Sequence, residues 1–369
     1  MLVALVEPYF SGSHKSWALE LQKHSSHDIH LFTLPGRNWK WRMHGAAVTL
    51  ASKINESDVP FDLIVATDMM DLALFKSLLS PKHQSLPLFL YFHENQLTYP
   101  WPEDDPDAEE ERLGHYQFIN YTSALVADRI FFNSLYHKNS FISALPGFLK
   151  TFPDHRNLES VNEIEVKSDV LSVGVDLKRF DKYEPEEDII NDPPIILWNH
   201  RWEYDKNPEA FFRTLFELKS LGVNFQLVVL GAHFRKCPKI FDEAKTRLQE
   251  EILHWGYCDS FDEYARWLWK SDILPVTSIQ DFFGISIVEA IYCGCIPLLP
   301  NRLAYPEHVN NDKLFYKTHE ELLRLLVSTI DNRTKIDKPP LKRSINRYDW
   351  HTVIEKYDQK WTELAVSKR

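Results

Sequence analysis

Short β-branched, apolar runs alternate with helix-length amphipathic stretches along most of this 369-residue chain, and that alternation leaves few folds open. "LVALVEPY", "DIHLFTL", "FDLIVATD", "LPLFLYFHE" and "RIFFNS" read as strands, with "SWALELQKH" and "QFINYTSALVAD" as helices between them. Strands apolar on both faces, each followed by a helix, build a parallel sheet covered by helices. After "SVGVDLKRF" the chain turns polar and proline-punctuated, "DKYEPEEDIINDPP", and reads as a linker. The alternation restarts with strands "PIILWNH", "FQLVVLG", "ILPVTS" and "IPLLPN" and helices "PEAFFRTLFELKSLG", "DEYARWLWKS" and "GISIVEAIYCG". The expectation is an α/β chain of two Rossmann-like domains, over 1–180 and 190–349, each long enough for its own core. The closing "YDWHTVIEKYDQKWTELAV" is helical with aromatic anchors, so it should pack rather than trail.

No run of about 18 apolar residues is present, so no membrane insertion is expected. The opening "MLVALVEPYF" lacks the basic start and small-residue cleavage site of a signal peptide, and reads as a buried strand. Cys237, Cys258, Cys293 and Cys295 fit neither a zinc site nor a disulfide framework, which points to a reducing, cytoplasmic setting. A formal net charge of -11 argues against nucleic-acid binding over the whole surface but leaves a local basic site open. The acidic run "PEDDPDAEEE" should be a solvated loop or a helix start.

One basic patch stands out, "GRNWKWRMHG", just after the second strand. Arg37, Lys40 and Arg42 alternate with Trp39 and Trp41, and His44 follows. Two readings stay open. Either the tryptophans turn inward as core anchors of a surface turn, or they stack on an unstacked base while the cations meet phosphates.

In the second domain, "WNHRWEYDKNPEAF" places Arg201 and Lys206 in a strand-to-helix loop, where two cations suit a diphosphate or are ordinary surface charges. In "SIQDFFGISIVEAIYCGCIPLLPN", Asp281 precedes a helix start at Gly284, Ile285 and Ser286, whose backbone N–H groups lack intrahelical partners. Glu289 lies about a turn and a half into that helix, placed to accept from ribose hydroxyls, while Asp281 could grip a sugar. The bland alternative is two charges on an amphipathic helix. In the first domain, "EPYFSGSHKSW" sets Gly12 at a helix start after the first strand, a donor-binding candidate whose loop can approach a sugar phosphate through its backbone. "YFHENQLTYPWP" sets His93 and Asn95 after the fourth, where His93 is either a satisfied core histidine or a site residue. Asn133 and Ser134, closing "RIFFNS", are at least as readily a structural turn. No metal or other cofactor is expected.

"HRWEYDKNPEAF" and "GYCDSFDEYARWLWKSDILPVTSIQDFFGISIVEAIYCGCIPLL" resemble the donor domain of the retaining GT-B glycosyltransferases of family four. The resemblance extends over most of the chain. It implies a fold of two Rossmann-like domains facing a cleft, with residues 350–369 crossing back onto the first domain. By position it implies that Arg201 and Lys206 hold the donor diphosphate, Glu289 the ribose and Asp281 the sugar, with His93 near the donor sugar. Asp281 stands where the family usually has Glu, shortening that reach by one methylene. "EPYFSGSHKSWA", "GRNWKWRMHGAA" and "FHENQLTYPW" are similar to one subgroup, the tRNA-queuosine mannosyltransferases. That likeness implies transfer of mannose from GDP-mannose to queuosine in the anticodon of aspartate tRNA, with retention, without a metal and without an obligate protein partner. It makes Arg37, Trp39, Lys40, Trp41, Arg42, His44 and Asn95 acceptor-binding candidates. The alternatives are another nucleotide-sugar donor with a lipid, glycan or small-molecule acceptor, and a non-catalytic sugar-nucleotide or RNA-binding module.

Overall fold

The computed structural model describes residues 1–102, 113–187, 190–232 and 237–366. Its contacts divide the chain into two units, Met1–Gly174 with Trp350–Arg369, and Val175–Asp349. The acidic run lies outside the described residues from Glu103 onward.

Unit 1 holds β1 (Leu2–Phe10), β2 (Asp28–Pro35), β3 (Leu63–Thr67), β4 (Leu88–Phe92), β5 (Arg129–Phe132) and β6 (Ser168–Val170). They form one sheet in the order β2-β1-β3-β4-β5-β6. Every pairing is parallel; Ala4, for example, sits opposite His30 on one side and Ile64 on the other. Its helices are α1 (Gly12–His24), α2 (Trp39–Asn55), α3 (Leu72–Leu78), α4 (Pro81–Gln84), α5 (Leu113–Val126), α6 (Leu135–Leu149) and α7 (Ser160–Val166). Ala46, Ala47, Leu50 and Ile54 come from one side of α2, at the three- and four-residue spacing of a helix face. They pack with Ala4, Val6, Ile64, Ala66 and Leu90 of the sheet in a single apolar cluster.

Unit 2 repeats the plan with β7 (Ile195–Trp198), β8 (Gln226–Leu230), β9 (Ile252–Gly256), β10 (Ile273–Pro275), β11 (Ile296–Pro300) and β12 (Phe315–Tyr316). The sheet order is β12-β11-β10-β7-β8-β9, again parallel. The helices are α8 (Pro208–Ser220), α9 (Ile240–Arg247), α10 (Phe261–Lys270), α11 (Ile285–Tyr292), α12 (Tyr305–His308), α13 (His319–Asn332) and α14 (Pro339–Asn346). Trp198 lies within 5.0 to 6.1 Å of Phe211, Phe212 and Phe241, and Trp202 stacks on Phe241 at 4.4 Å, so aromatic rings fill much of this core. Two parallel sheets with intervening helices are the α/β architecture expected from the alternation.

The expected linker differs from its reading. The units meet in sequence at Gly174 and Val175, and "DKYEPEEDIINDPP" begins inside a 3-10 helix, Lys178–Tyr183. Trp269 Nε1 donates to the Phe180 carbonyl at 2.9 Å, and the Tyr292 hydroxyl donates to Asp181 at 2.6 Å. Phe180 is fully buried beside Phe261. These ties draw the start of the polar stretch onto unit 2.

The last helix, α15 (Trp350–Val366), packs on α1 in unit 1. Tyr357 is its hub. It is fully buried, accepts from Trp17 Nε1 at 3.3 Å and donates to the Ser172 carbonyl at 3.1 Å. Asp358 accepts from the Ser25 hydroxyl at 2.6 Å and the Ser26 amide at 2.8 Å, and Trp361 is fully buried beside Tyr357. Removing only the hydroxyl strands the indole N–H and the carbonyl. Tyr357→Phe should therefore lower unfolding free energy by about 1–3 kcal/mol in urea titrations; an unchanged midpoint would remove Tyr357 from this role.

Candidate active site

In an open parallel sheet, ligands collect beyond the carboxyl ends of the strands, where the strand order reverses. In unit 2 that reversal lies between β7 and β10. The loop after β7 carries Arg201 and Lys206 and ends at Asn207, which adopts a left-handed φ of 51° and caps α8 through its side-chain oxygen on Ala210 N. The loop after β10 carries Asp281 and ends at Gly284, whose φ of 91° a side chain rarely adopts. Gly284 opens α11, leaving the Ile285 and Ser286 amides without helical acceptors, while the Ile287 amide donates to the Gly284 carbonyl at 3.1 Å.

Lys206 and Asp281 meet across these loops. The buried Lys206 Nζ lies 3.0 Å from Asp281 Oδ1, 3.1 Å from Asp205 Oδ2 and 2.9 Å from the Gln280 carbonyl. All three ammonium hydrogens thus have protein acceptors. Asp281 Oδ2 accepts from the Tyr305 hydroxyl at 2.8 Å. Arg201 is different: its side chain is 51% exposed, paired with Glu203 at 2.9 Å and 3.7 Å from Asp205. Burial works against the charge on Lys206, but Asp281 and Asp205 outweigh it and hold its pKa above the ordinary lysine value. Burial likewise opposes ionisation of Asp281, yet Lys206, His200 and the Tyr305 hydroxyl bring its carboxyl below the ordinary aspartate value.

Glu289, buried on α11, has both oxygens engaged. Oε1 accepts from Arg179 Nη2 at 2.8 Å and Oε2 from the Tyr264 hydroxyl at 2.8 Å. Arg179 in turn lies over the Phe261 ring at 4.2 Å. Burial pushes the Glu289 pKa up despite Arg179 and Tyr264. Ser286 faces back toward β7: its hydroxyl is 3.1 Å from His200 Nδ1 and its carbonyl accepts from Asn199 Nδ2 at 2.7 Å. Burial lowers His200 to about 4, so this imidazole is neutral at physiological pH. The structure thus gathers Lys206 with Asp281, and seats Glu289 one helix turn beyond Ser286. Arg179, Asp205, Tyr264 and Tyr305, which complete these contacts, escaped the sequence reading because they come from other elements or lack a motif of their own.

The arrangement separates the two cations. Removing Lys206 leaves the buried Asp205 and the largely buried Asp281 without their shared cation, so Lys206→Ala should destabilise the chain by about 3–5 kcal/mol. Arg201→Ala, at an exposed position, should change stability by about 0.5 kcal/mol or less. Denaturant titration separates the two; equal stability losses would refute the division.

In unit 1 the strand order reverses between β1 and β3. Glu7 at the end of β1 is fully buried, His14 on α1 is 7% exposed, and Asp68, just past β3, is 1% exposed. His93 and Asn95 follow β4. His14 Nδ1 is 3.3 Å from both Glu7 oxygens, and His93 Nε2 is 3.6 Å from Glu7 Oε2. The His93 amide donates to Asp68 Oδ1 at 2.7 Å, and its carbonyl accepts from Asn133 Nδ2 at 2.8 Å. Asn95 is buried with its oxygen taking the Leu97 and Thr98 amides, each at 3.0 Å, so it shapes its own loop. Ser134 caps α6 by accepting from the His137 amide at 3.0 Å, which with Asn133 makes "RIFFNS" the structural turn. Gly12 begins α1 with a φ of 51°, and a Cβ there would meet nothing within 4 Å. Glu7, His14 and Asp68 were missed in the sequence; the signal available was only a carboxylate inside an otherwise apolar first strand.

The basic patch is a helix start, not a turn. Asn38 holds a left-handed φ of 54° and α2 begins at Trp39. Trp39 packs 5.6 Å from Trp101 and 5.2 Å from Tyr116, with Lys40 Nζ 5.8 Å above its ring. His44 is exposed with its ring 5.5 Å from Tyr116. Arg42 donates to the Pro35 carbonyl at 3.2 Å, and Arg37 is exposed. Trp41 is 63% exposed. The two tryptophans therefore divide: Trp39 packs and Trp41 faces solvent.

Burial would strip the proton from His14, but Glu7 outweighs it and raises the pKa to about 9. Burial raises Asp68 to about 8 even with His14 near it. The His14 contribution to stability is complete below its ordinary value of 6.5 and is lost as pH rises through about 9. Ionising Asp68 subtracts further as pH climbs towards about 8. The thermal unfolding midpoint should fall as pH is raised across this window, and less steeply in His14→Gln; a flat wild-type profile would contradict the pairing.

Among the described residues, no helix is long and apolar enough to cross a membrane, and all four cysteines are free. Residues 2–175 match the family described as tRNA-queuosine alpha-mannosyltransferase N-terminal, and residues 179–344 match glycosyl transferases group 1. A tRNA-queuosine alpha-mannosyltransferase of Drosophila melanogaster is 33% identical over 331 residues, covering 88% of this chain and 85% of that protein. The fold is shared with a Rickettsia africae glycosyltransferase, at TM-score 0.68 and 16% identity over 98% of each chain. It is also shared with sucrose-phosphate synthase of Thermosynechococcus elongatus, at TM-score 0.70 and 13% identity over 100% of each chain. Those two likenesses carry the GT-B fold alone. With the fly enzyme matching across both units, and family matches over each sheet, the chain belongs to the tRNA-queuosine alpha-mannosyltransferase family of glycosyltransferases.

Proposed function

We propose that the chain transfers mannose from GDP-mannose to queuosine in the anticodon of aspartate tRNA, in the cytoplasm, retaining anomeric configuration and using no metal ion. The observation that carries this reading is the 33% identity to the fly tRNA-queuosine alpha-mannosyltransferase over 88% of the chain. The donor, the tRNA species, retention and metal independence rest on the resemblance of the motifs to that subgroup.

On this reading the donor half stabilises a leaving nucleoside diphosphate through Arg201 and the first-turn amides of α11, Gly284 to Ser286. Lys206 is held between two carboxylates, so it serves by fixing Asp281 and by tempering the negative charge near the phosphates. Asp281 offers remaining lone pairs to sugar hydroxyls. Glu289, steadied by Arg179 and Tyr264, offers its own to the ribose. On the acceptor side, Trp41 supplies an open stacking face, and Arg37, Lys40 and Arg42 supply positive charge beside it. Trp39 and His44 support that helix start, and Asn95 the loop beside His93.

Incubation with GDP-mannose and queuosine-containing aspartate tRNA should add one hexose to the modified base, with or without EDTA, while the same tRNA carrying guanosine should not react. Mass spectrometry of the digested tRNA reads the outcome. No added mass, or transfer only to a lipid, glycan or small molecule, would replace the reading. Trp41→Ala should lower kcat/KM for tRNA about tenfold, within the range for one base–aromatic stack. Slow donor hydrolysis should persist in that variant, since its loss along with transfer would return Trp41 to a structural role.

A further inference from the structure

Glu7 is a carboxylate fully removed from water, and three donor groups surround it. The Tyr9 amide donates to Oε1 at 2.8 Å, His14 Nδ1 lies 3.3 Å from both oxygens, and His93 Nε2 lies 3.6 Å from Oε2. Among the described residues the buried His93 Nε2 has no hydrogen-bond partner, and the acceptor it faces is Glu7 Oε2 at 3.6 Å. Catalytic contacts of this kind are often long before substrate binds. The alternative tautomer, with its proton on Nδ1, would set a nitrogen lone pair against the carboxylate oxygen, two acceptors facing one another. A protonated His93 would set a second imidazolium against His14, whose tilted ring has its centroid only 4.1 Å away.

The rest of the nest fixes His93 in place. Its amide and carbonyl are tied to Asp68 and Asn133, and its ring lies edge-on to Trp17 at 4.7 Å and to Tyr91 at 4.9 Å. The titratable and charged groups around it are Glu7 on β1, His14 on α1, Asp68 beyond β3, Tyr91 and Glu94 on and beyond β4, and His137 on α6. Tyr357 of α15 stands behind Tyr91. Burial first, then His14 and His137, hold the His93 pKa well below its ordinary value.

We propose that Glu7 and His14 are positioning residues that hold His93 as its Nε2–H tautomer, leaving Nδ1 to accept a hydrogen bond from a substrate hydroxyl. His14 balances the charge of Glu7, Glu7 accepts from the Nε2–H, which stays on His93, and the free Nδ1 lone pair is directed at the opposite edge of the ring. The hydroxyl belongs either to the acceptor diol or to the donor sugar. The inference rests on the transferase reading above, and its test separates the two.

The first measurement needs no activity. In the full chain labelled with 15N-histidine, near neutral pH, His93 should show the neutral Nε2–H pattern and His14 the doubly protonated one, with assignments from His93→Gln and His14→Gln. A His93 protonated on Nδ1, or on both nitrogens, overturns the proposal even if mannose is transferred. Failure to mannosylate queuosine tRNA would sink the functional reading and leave this result standing. In the active enzyme, Glu7→Gln should lower kcat about tenfold or more while leaving the Kd for GDP within about twofold. His14→Lys, which keeps the charge, should recover most of the kcat lost in His14→Gln. A Glu7→Gln enzyme with wild-type kcat overturns the proposal. Where donor hydrolysis falls together with transfer, the hydroxyl is the donor's; where transfer alone falls, it is the acceptor's.

Discussion

A charge withdrawn from water must be neutralised by a neighbour or lose its proton, and that constraint organises both halves of this molecule. A parallel sheet covered by helices has little room for charge along its strands, so the buried charges of both sites sit late in a strand or past its carboxyl end. In unit 1, Glu7 enters at the reversal between β1 and β3, and His14 answers it. In unit 2, Asp205 and Asp281 enter at the reversal between β7 and β10, and Lys206 answers both. Glu7–His14 ties β1 to the helix that follows it, and Lys206–Asp281 ties the loop after β7 to the loop after β10. The loops are held by these contacts before any ligand arrives.

This pairing changes what the cations of unit 2 can do. A lysine in a strand-to-helix loop suggests a phosphate ligand when read from sequence, because nothing there says where its hydrogens go. With Asp281, Asp205 and the Gln280 carbonyl all in reach, Lys206 is part of the wall that sets Asp281 in position. Among the described residues, Arg201 differs in being half-exposed, paired with Glu203 at the loop surface, and α11 begins at the end of the other loop. Glu289 follows the same rule. Arg179 and Tyr264 engage one oxygen each, and the lone pairs that remain on a carboxylate are what a ribose could use.

The sheets were legible because buried parallel strands are apolar throughout, and the missed strands are those that depart from this. β6 is Ser168-Asp169-Val170, β12 is two residues long, and β9 is only partly buried with His254 at its centre. The site was legible where residues lie close in sequence, as Asp281, Gly284 and Glu289 do. It was illegible where partners lie far apart: Arg179 and Glu289 are 110 residues from one another, and Tyr305 and Asp281 are 24. The linker reading failed for the same reason. Polar and proline-rich composition marks a segment that need not fold, but Trp269 and Tyr292 reach back from distant helices and fold its first turn.

The patch around the tryptophans shows how one change of period decides a role. Read as an extended or turning segment, Trp39 and Trp41 share a side and must both pack or both project. On a helix, two residues are about 200° apart, so one faces the core and the other faces away. Trp39 joins Trp101 and Tyr116, and Met43, four residues on, is fully buried with them. Trp41 falls on the outer face above Gly45. A Cβ at Gly45 would sit 2.6 Å from the Trp41 ring, so the glycine is what lets the indole lie flat along the helix. An exposed tryptophan held flat against the backbone has already lost much of the side-chain freedom that a base stacking on it would otherwise remove. The packed tryptophan anchors the helix start, and the exposed one is presented by it.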